Sequence, residues 1–423
     1  MKKNIYCLLA ALFTMCLFTA CSDDDDPVVP GSKLEDKVYT DEAGLNLSVN
    51  GIPTLGKTID FKHIDGDKAT VTLAGERLNV SSIIGGIMSK ADNQPAAGIM
   101  IPTPGVIPGS ASVEIPVTLQ GDSKKCTFEG SHDTEYATFD YTGVIDGEAL
   151  SFEVKNLKLK NTSMAATFAT NTNFMEDDGW GGQQPNAYRV FRLIWESEKG
   201  LEVMPGVAFP PATVIGLMTA MPMIKDEEGN PAQMVTMLSK VLKNIKLGED
   251  GSVTATYADT KKPGWPETTS PTGFAQYVVK ADGTILLFVN PQAIMASVIA
   301  KASKSRAFDI NAVVEGLMTD VVPMLVNGIP VSYGRAIFDQ EGNESESASD
   351  ISFYIDENVL LPILNIVSPL LEDEEVVNAI VEAAASDPDM GYMAEMLPGI
   401  LASVPGVVET TTKIQLGINC VRE

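Results

Sequence analysis

The chain has 423 residues, of which 56 are Asp or Glu, 30 are Lys or Arg and only 2 are His, so its formal net charge is −26. A hydrophobic content of 44% against 20% charged residues predicts a folded protein rather than a disordered one. The strong negative charge argues against nucleic acid as a partner, because phosphates need a basic surface. Two histidines leave little basis for a His-based metal site or for acid–base catalysis near neutral pH.

The N-terminus has the pattern of a secretory signal peptide. Residues 1–20 place two lysines before an apolar stretch that is too short to span a membrane. Residues 17–21 (LFTAC) resemble the bacterial lipobox, a family in which the cysteine is diacylated and becomes the mature N-terminus. The resemblance implies that Cys21 is lipidated and anchors the protein to a membrane. The alternative is an ordinary signal peptide with a chance cysteine.

An acidic run follows directly, since residues 22–26 read SDDDD and precede a segment that contains Pro and Gly. This run resembles the surface-export signal of Bacteroidetes lipoproteins, which implies a flexible, lipidated tether over 21–40 on the outer face of the outer membrane. A solvated charge run is the alternative, because four adjacent Asp cannot all converge on one calcium ion. Removal of 1–20 would leave 28 basic and 56 acidic residues, a charge of −28.

Residues 41–160 alternate apolar and polar positions in short runs separated by Asp-Gly turns. Seven or so strands at this spacing predict an all-β barrel or sandwich. The pattern is similar to that of the calycin-like β-barrel domains of Bacteroidetes lipoproteins, which implies a barrel-like N-terminal domain. The Gly- and Pro-rich insertion 81–110 is expected either to form a lid over the barrel mouth or to pack on its own domain.

Residues 161–187 lack a regular pattern and are predicted to be a linker or surface loop. From 188 onward helical and strand periodicities alternate, which predicts a C-terminal α+β domain (188–423) whose antiparallel sheet has packed or inserted helices. Its predicted helices cover 211–224, 231–244, 291–304, 309–326, 357–371, 373–386 and 390–402. Its predicted strands cover 188–196, 245–257, 274–280, 284–289, 329–338, 350–355 and 410–420. Asp356 is the predicted N-cap of the helix that follows it.

Two cysteines, Cys126 and Cys420, remain once the signal peptide and Cys21 are set aside. An oxidising compartment permits a disulfide between them. They lie 294 residues apart in different predicted domains, so two separate buried thiols are the preferred interpretation. No histidine cluster accompanies them, and a structural zinc site is not predicted.

No catalytic motif is evident, and neither an enzyme nor a cofactor is predicted. Residues 131–133 read Ser-His-Asp, but neighbours on a strand point to opposite faces, which argues against a catalytic triad. No nucleophile elbow, zinc-protease or phosphate-loop motif occurs. The acidic clusters 177–178 and 372–375 lie in loop or helix-start contexts, where solvated charge is expected rather than a catalytic pair.

The candidate ligand contacts are aromatic and apolar. Trp180 and Trp265 lie in Gly- and Pro-rich loops, where an exposed indole offers a flat face to a sugar ring or a partner; each could instead fold back on its own domain. Met218, Met221 and Leu361 lie in uncharged helical segments that could line a hydrophobic pocket. A buried layer of core helices is the alternative for these three residues.

These features predict a non-catalytic lipoprotein of the outer-membrane surface that binds a hydrophobic or a carbohydrate ligand. The first alternative is a structural or interaction protein of the same surface without a small-molecule ligand. The second is a carboxylate-based hydrolase.

Overall fold

The computed structural model describes residues 34–79, 100–122, 124–222, 224–290, 319, 321–339, 342–386 and 395–423. The predicted signal peptide, Cys21 and the acidic run lie outside the described residues. So do the helix predicted at 291–304, most of the one predicted at 309–326, and residues 81–99 of the predicted insertion.

The described residues before 160 fold almost entirely as strands. These are β1 (Lys37–Tyr39), β2 (Leu45–Val49), β3 (Ile52–Pro53), β4 (Lys57–Asp65), β5 (Lys68–Gly75), β6 (Arg77–Asn79), β7 (Met100–Pro102), β8 (Ser112–Thr118), β9 (Gln120–Gly121), β10 (Lys125–Asp133), β11 (Ala137–Asp146) and β12 (Ala149–Leu159). One sheet has the order β1-β4-β5-β8 and a second has the order β3-β2-β12-β11-β10-β9, while β6 and β7 pair separately.

The two larger sheets face each other as a sandwich with a filled interior. Alternate residues of both sheets meet in one core, from Phe61 on β4 to Phe152 on β12, each at most 1% exposed. The Phe152 and Tyr141 rings stack at 6.0 Å. Of the two architectures predicted for 41–160, the described strands form the sandwich, because they belong to two sheets that do not pair with each other.

The remaining strands are β13 (Ala166–Thr170), β14 (Met175–Asp177), β15 (Gln183–Pro185), β16 (Phe191–Ser197), β17 (Leu201–Met204), β18 (Val207–Phe209), β19 (Ile224–Lys225), β20 (Pro231–Ala232), β21 (Leu242–Leu247), β22 (Ser252–Ala258), β23 (Glu267–Thr269), β24 (Ala275–Val279), β25 (Ile285–Val289), β26 (Ile329–Arg335), β27 (Asp350–Asp356) and β28 (Thr411–Arg422). The helices are α1 (Pro211–Ala220), α2 (Met234–Val241), α3 (Val322–Asn327), α4 (Glu357–Val367), α5 (Glu374–Ser386) and α6 (Leu397–Glu409), with 3-10 turns at Ala187–Arg189 and Ser368–Glu372.

Eight of these strands form a closed antiparallel barrel in the C-terminal half. Their order is β13-β21-β22-β24-β25-β26-β27-β28, and β13 pairs with β28 as well as with β21, which closes the ring. β16 adds to β28 outside the ring. The C-terminal antiparallel sheet was predicted, but its closure was not. Closure removes the edges that an open sheet of this size would expose.

Two sequence predictions fail at this barrel. Residues 161–187 are not a plain linker, because Ala166–Thr170 is the strand that closes the ring. The helix predicted at 231–244 is too long, because Leu242–Leu247 pairs with β13 and β22 as strand β21. The Asp356 cap is confirmed, since its carboxylate accepts the Asn358 backbone N–H at 3.0 Å.

The two ends of the barrel differ. At one, the turn end, short connections join β21 to β22, β24 to β25, and β26 to β27. At the other, the helix end, long connections that include α1 to α6 leave from β13, β25 and β27 and return to β21, β26 and β28. The helices therefore gather around a single mouth of the barrel.

The sandwich packs against the barrel through residues 103–111. Ile107 is fully buried, and the Gln276 side-chain amide donates to the Gly105 carbonyl at 3.1 Å. Gly251, at φ +80°, lies so close to Pro108 that a Cβ would come within 2.7 Å of the proline ring. This part of the predicted insertion is a contact between the two halves, and one core cluster includes residues from both.

Candidate functional site

The interior of the C-terminal barrel is lined by apolar side chains. Phe168 on β13 and Phe353 on β27 flank β28 on opposite sides, yet their ring centroids are 4.8 Å apart, edge to face. They therefore meet inside the curve of the sheet. Residues that lie opposite them in the register, such as Ile245 and Ile418, share this inward face.

The inward side chains are not equally buried along the barrel. In the half nearer the turn end the fully buried ones are Phe168, Leu247, Tyr277, Val279, Ile285 and Cys420. Toward the helix end several inward side chains keep partial solvent exposure: Ala255, Leu287, Val289, Ile329, Ile355 and Leu416. Inward side chains nearer the turn end, such as Val253, Tyr333 and Ile351, are also only partly buried. At the helix end, Leu416 packs against a cluster that contains Leu193 and Val235.

Charge is also distributed unevenly in the interior. Register places Arg335 and Arg422 on the inward face at the turn end, and Arg422 there donates to the Ser163 carbonyl at 2.8 Å. The described strands place no charged inward side chain at the helix end. The described inward positions at the helix end are therefore uncharged.

Two titratable groups on the inward face are held neutral. Burial raises the pKa of the Tyr277 hydroxyl to about 12, and this hydroxyl donates to the Gly248 carbonyl of a turn-end hairpin at 3.0 Å. Burial also raises the pKa of the Cys420 thiol to about 12. Because the thiolate is the reactive form of cysteine, Cys420 has no nucleophilic character near neutral pH.

Cys126 and Cys420 do not form a disulfide with each other. Both are buried thiols, and the Cys126 thiol donates to the Asp122 carbonyl at 2.8 Å. Cys126 lies in the sandwich and Cys420 in the barrel, in agreement with the preferred interpretation of two separate thiols.

The structure does not bring the predicted methionines to the barrel interior. Met218 and Met221 pack among helices, against a small cluster that contains Ala384 and Leu397. Leu361, on α4, is partly buried. This helix-to-helix packing accounts for Met218 and Met221 without a ligand, while the contact predicted for Leu361 stays a prediction.

Trp180 is an exposed aromatic side chain, with 94% of its surface accessible. It lies in the turn between β14 and β15, where the Asp178 carboxylate accepts the backbone N–H groups of Trp180 and Gly182, each at 2.8 Å. These bonds hold the pKa of Asp178 below its usual value. Trp265 is only partly exposed, in the loop between β22 and β23. A sugar or partner contact at either residue stays a prediction.

The acidic clusters and the Ser-His-Asp sequence have structural surroundings. Ser131 donates to the Asp140 carboxylate at 2.6 Å, Asp133 forms an ion pair with Lys160, and the His132 ring packs against Phe139. The Asp373 carboxylate accepts the Glu375 backbone N–H at 2.8 Å. The Ser131, His132 and Asp133 contacts therefore belong to the β10–β11 strand pair and its surroundings, and the Asp373 contact belongs to the start of helix α5.

A buried polar cluster lies outside the barrel, and the sequence patterns did not predict it. Asn419 is fully buried, and its side-chain amide donates to the carbonyls of Tyr188 and Ile337 at 2.7 and 3.2 Å. Its side-chain oxygen accepts the hydroxyl of Ser352, which is also fully buried. In the sequence, the available signal was that Asn419 is polar while its neighbours Ile418 and Cys420 are not. Its hydrogen-bond partners could not be predicted, because they are far away in sequence.

Within the described ranges, no group of three or more His, Cys, Asp and Glu is arranged to hold a metal ion. No helix in the described part of the chain is both long and apolar enough to cross a membrane. Comparison of the chain with protein-family models, with curated proteins and with solved structures gives no match.

Proposed function

We propose that this protein is a non-catalytic, lipid-anchored protein of the outer-membrane surface whose C-terminal barrel binds an apolar ligand. The observation that carries the ligand proposal is the set of inward apolar side chains that stay partly exposed at the helix end of a closed barrel, Leu287 and Ile355 among them. The sandwich is not proposed as the ligand-binding part, because its inward side chains, such as Phe61 and Phe152, are buried.

The dimensions and chemistry of the barrel favour a slender, uncharged ligand such as an acyl chain. An eight-stranded barrel has an interior just wide enough for its own side chains or for one small ligand. A strand of seven residues, the length of β26 and β27, spans roughly 23 Å. Because the described strands place no inward charge at the helix end, an ionic head group would stay outside, while each buried methylene would contribute about 0.8 kcal/mol.

A matched pair of variants on one strand tests this proposal. Ala255 points into the barrel, and its neighbour Thr254 points outward. Ala255→Trp should occupy the interior and weaken binding of the neutral dye N-phenyl-1-naphthylamine at least tenfold, whereas Thr254→Trp should leave it unchanged. Dye fluorescence is titrated against each protein and then displaced with a long-chain fatty alcohol.

Two results would overturn the ligand proposal. One is the absence of saturable dye binding to the wild-type protein. The other is equal binding by both variants together with a lower melting temperature for Ala255→Trp, which would show a barrel that is already packed. The protein would then be better described as a structural or interaction protein of the surface.

The anchor is tested separately. Replacing the lipid-bearing thiol in Cys21→Ala should move the protein from the membrane fraction of cells to the soluble extract, because stable anchoring depends on the acyl chains. Cys16→Ala, five residues upstream in the predicted signal peptide, is the control and should stay in the membrane fraction. An unchanged distribution of the Cys21→Ala protein would refute the anchor.

A further inference from the structure

Strand β16 has a free backbone edge. It pairs with β28 on one side and with no other strand in the described residues. Just before this strand, the backbone N–H of Asn419 donates to the Val190 carbonyl at 2.8 Å, so residues 190 and 419 form a hydrogen-bonded pair. Because such pairs alternate in an antiparallel ladder, Phe191, Leu193 and Trp195 direct their N–H and C=O groups to the free edge.

A cleft runs along this edge. It has a volume of about 580 Å³ and is lined by consecutive residues 193–200 on one side and by residues 208–213 on the other. Trp195 and Phe209 supply aromatic surface from the two sides, and 43% of the Phe209 surface is exposed. The Pro210 and Pro211 side has no backbone N–H to pair with β16.

The charge at the open end of the cleft has a small negative excess, because Glu196, Glu198 and Glu409 face two lysines, Lys199 and Lys413. Glu196 and Glu198 are exposed there. The nearby lysines already have carboxylate partners, since Lys199 lies 3.2 Å from Glu409 and Lys413 lies 3.6 Å from Glu196. Together with the net charge of −26, this disfavours a second copy of the chain at the same edge and favours a basic partner.

We propose that β16 binds an extended polypeptide segment with basic side chains, which adds to the sheet as a new strand. Main-chain hydrogen bonds from Phe191, Leu193 and Trp195 give the segment its register. Its apolar side chains lie against Trp195 and Phe209, and its basic ones lie near Glu198. This is the way in which exposed sheet edges capture peptides.

Peptide probes distinguish strand addition from simple charge attraction. A fluorescein-labelled eight-residue peptide that alternates Val and Lys should bind in a fluorescence anisotropy titration. An ester analogue, in which oxygen replaces each backbone N–H, keeps the charges but loses the donors and should bind at least tenfold more weakly. Equal binding of the two peptides would overturn the proposal.

The protein side of the test uses charge reversal. Glu198→Lys should weaken binding of the Val–Lys peptide at least tenfold. Glu129 is an exposed strand residue of the sandwich, and Glu129→Lys should leave the affinity unchanged. Equal loss in both variants would show non-specific attraction. No binding to the wild-type protein, or a stable dimer in sedimentation that the peptide cannot dissociate, would also overturn the proposal.

Discussion

Asn419→Leu should lower the free energy of unfolding by roughly 3–5 kcal/mol. The substitution removes three buried hydrogen bonds: those that the Asn419 amide donates to the carbonyls of Tyr188 and Ile337, and the one that its oxygen accepts from Ser352. A buried polar group deprived of its hydrogen bond costs about 1–3 kcal/mol. Leucine has a similar size, so the loss reflects the hydrogen bonds rather than a cavity.

Urea denaturation followed by circular dichroism measures this effect. Asn244→Leu on β21, partly exposed and pointing away from the barrel interior, is the control and should change stability by less than about 1 kcal/mol. Adding Ser352→Ala to Asn419→Leu should recover part of the lost unfolding free energy, because it removes the buried hydroxyl whose hydrogen bond to Asn419 is gone. A loss below about 1 kcal/mol for Asn419→Leu would contradict the role of this cluster.

Phe168→Ala should destabilise the protein by about 3–5 kcal/mol, the range for a fully buried phenylalanine. Phe168 has no exposed surface, and it packs edge to face on Phe353 inside the barrel. It lies on β13, the strand through which the ring closes. The change therefore creates a cavity beside β13, the strand that pairs with both β21 and β28.

Differential scanning calorimetry reports this loss, with Phe274→Ala as the control, because 47% of the Phe274 surface is exposed. Since one core cluster spans the sandwich and the barrel, both halves should melt in a single transition that shifts to lower temperature in Phe168→Ala. Two separate transitions, with only one of them shifted, would contradict the shared core.

The strands of the sandwich could be predicted because their information is local. The alternation in residues 148–160, for example, specifies both the strand β12 and the face that it buries. Turn residues set the ends of these strands. Sequence patterns did not decide between a barrel and a sandwich, because that choice depends on which edge strands pair.

The candidate site was predicted only in its chemistry. The sequence predicted apolar ligand contacts at Met218, Met221 and Leu361 on helices, whereas the site that we propose is lined by inward strand residues such as Leu287. The alternation in residues 284–289 is visible in the sequence, yet it does not say that the apolar face of this strand lines a closed barrel. Helical segments rich in methionine gave the stronger local signal, and in the structure Met218 and Met221 pack among helices.

The sequence by itself predicted the positions of most of the long strands and the Asp356 cap, and it favoured separate thiols at Cys126 and Cys420. Only the tertiary structure decided that β13 and β28 close a ring, that the sandwich and barrel share a core, and that Asn419 is buried among distant partners. The physical reason is range: periodicity and capping act over a few residues, whereas ring closure joins Phe168 to Arg422 through pairings that no local pattern encodes.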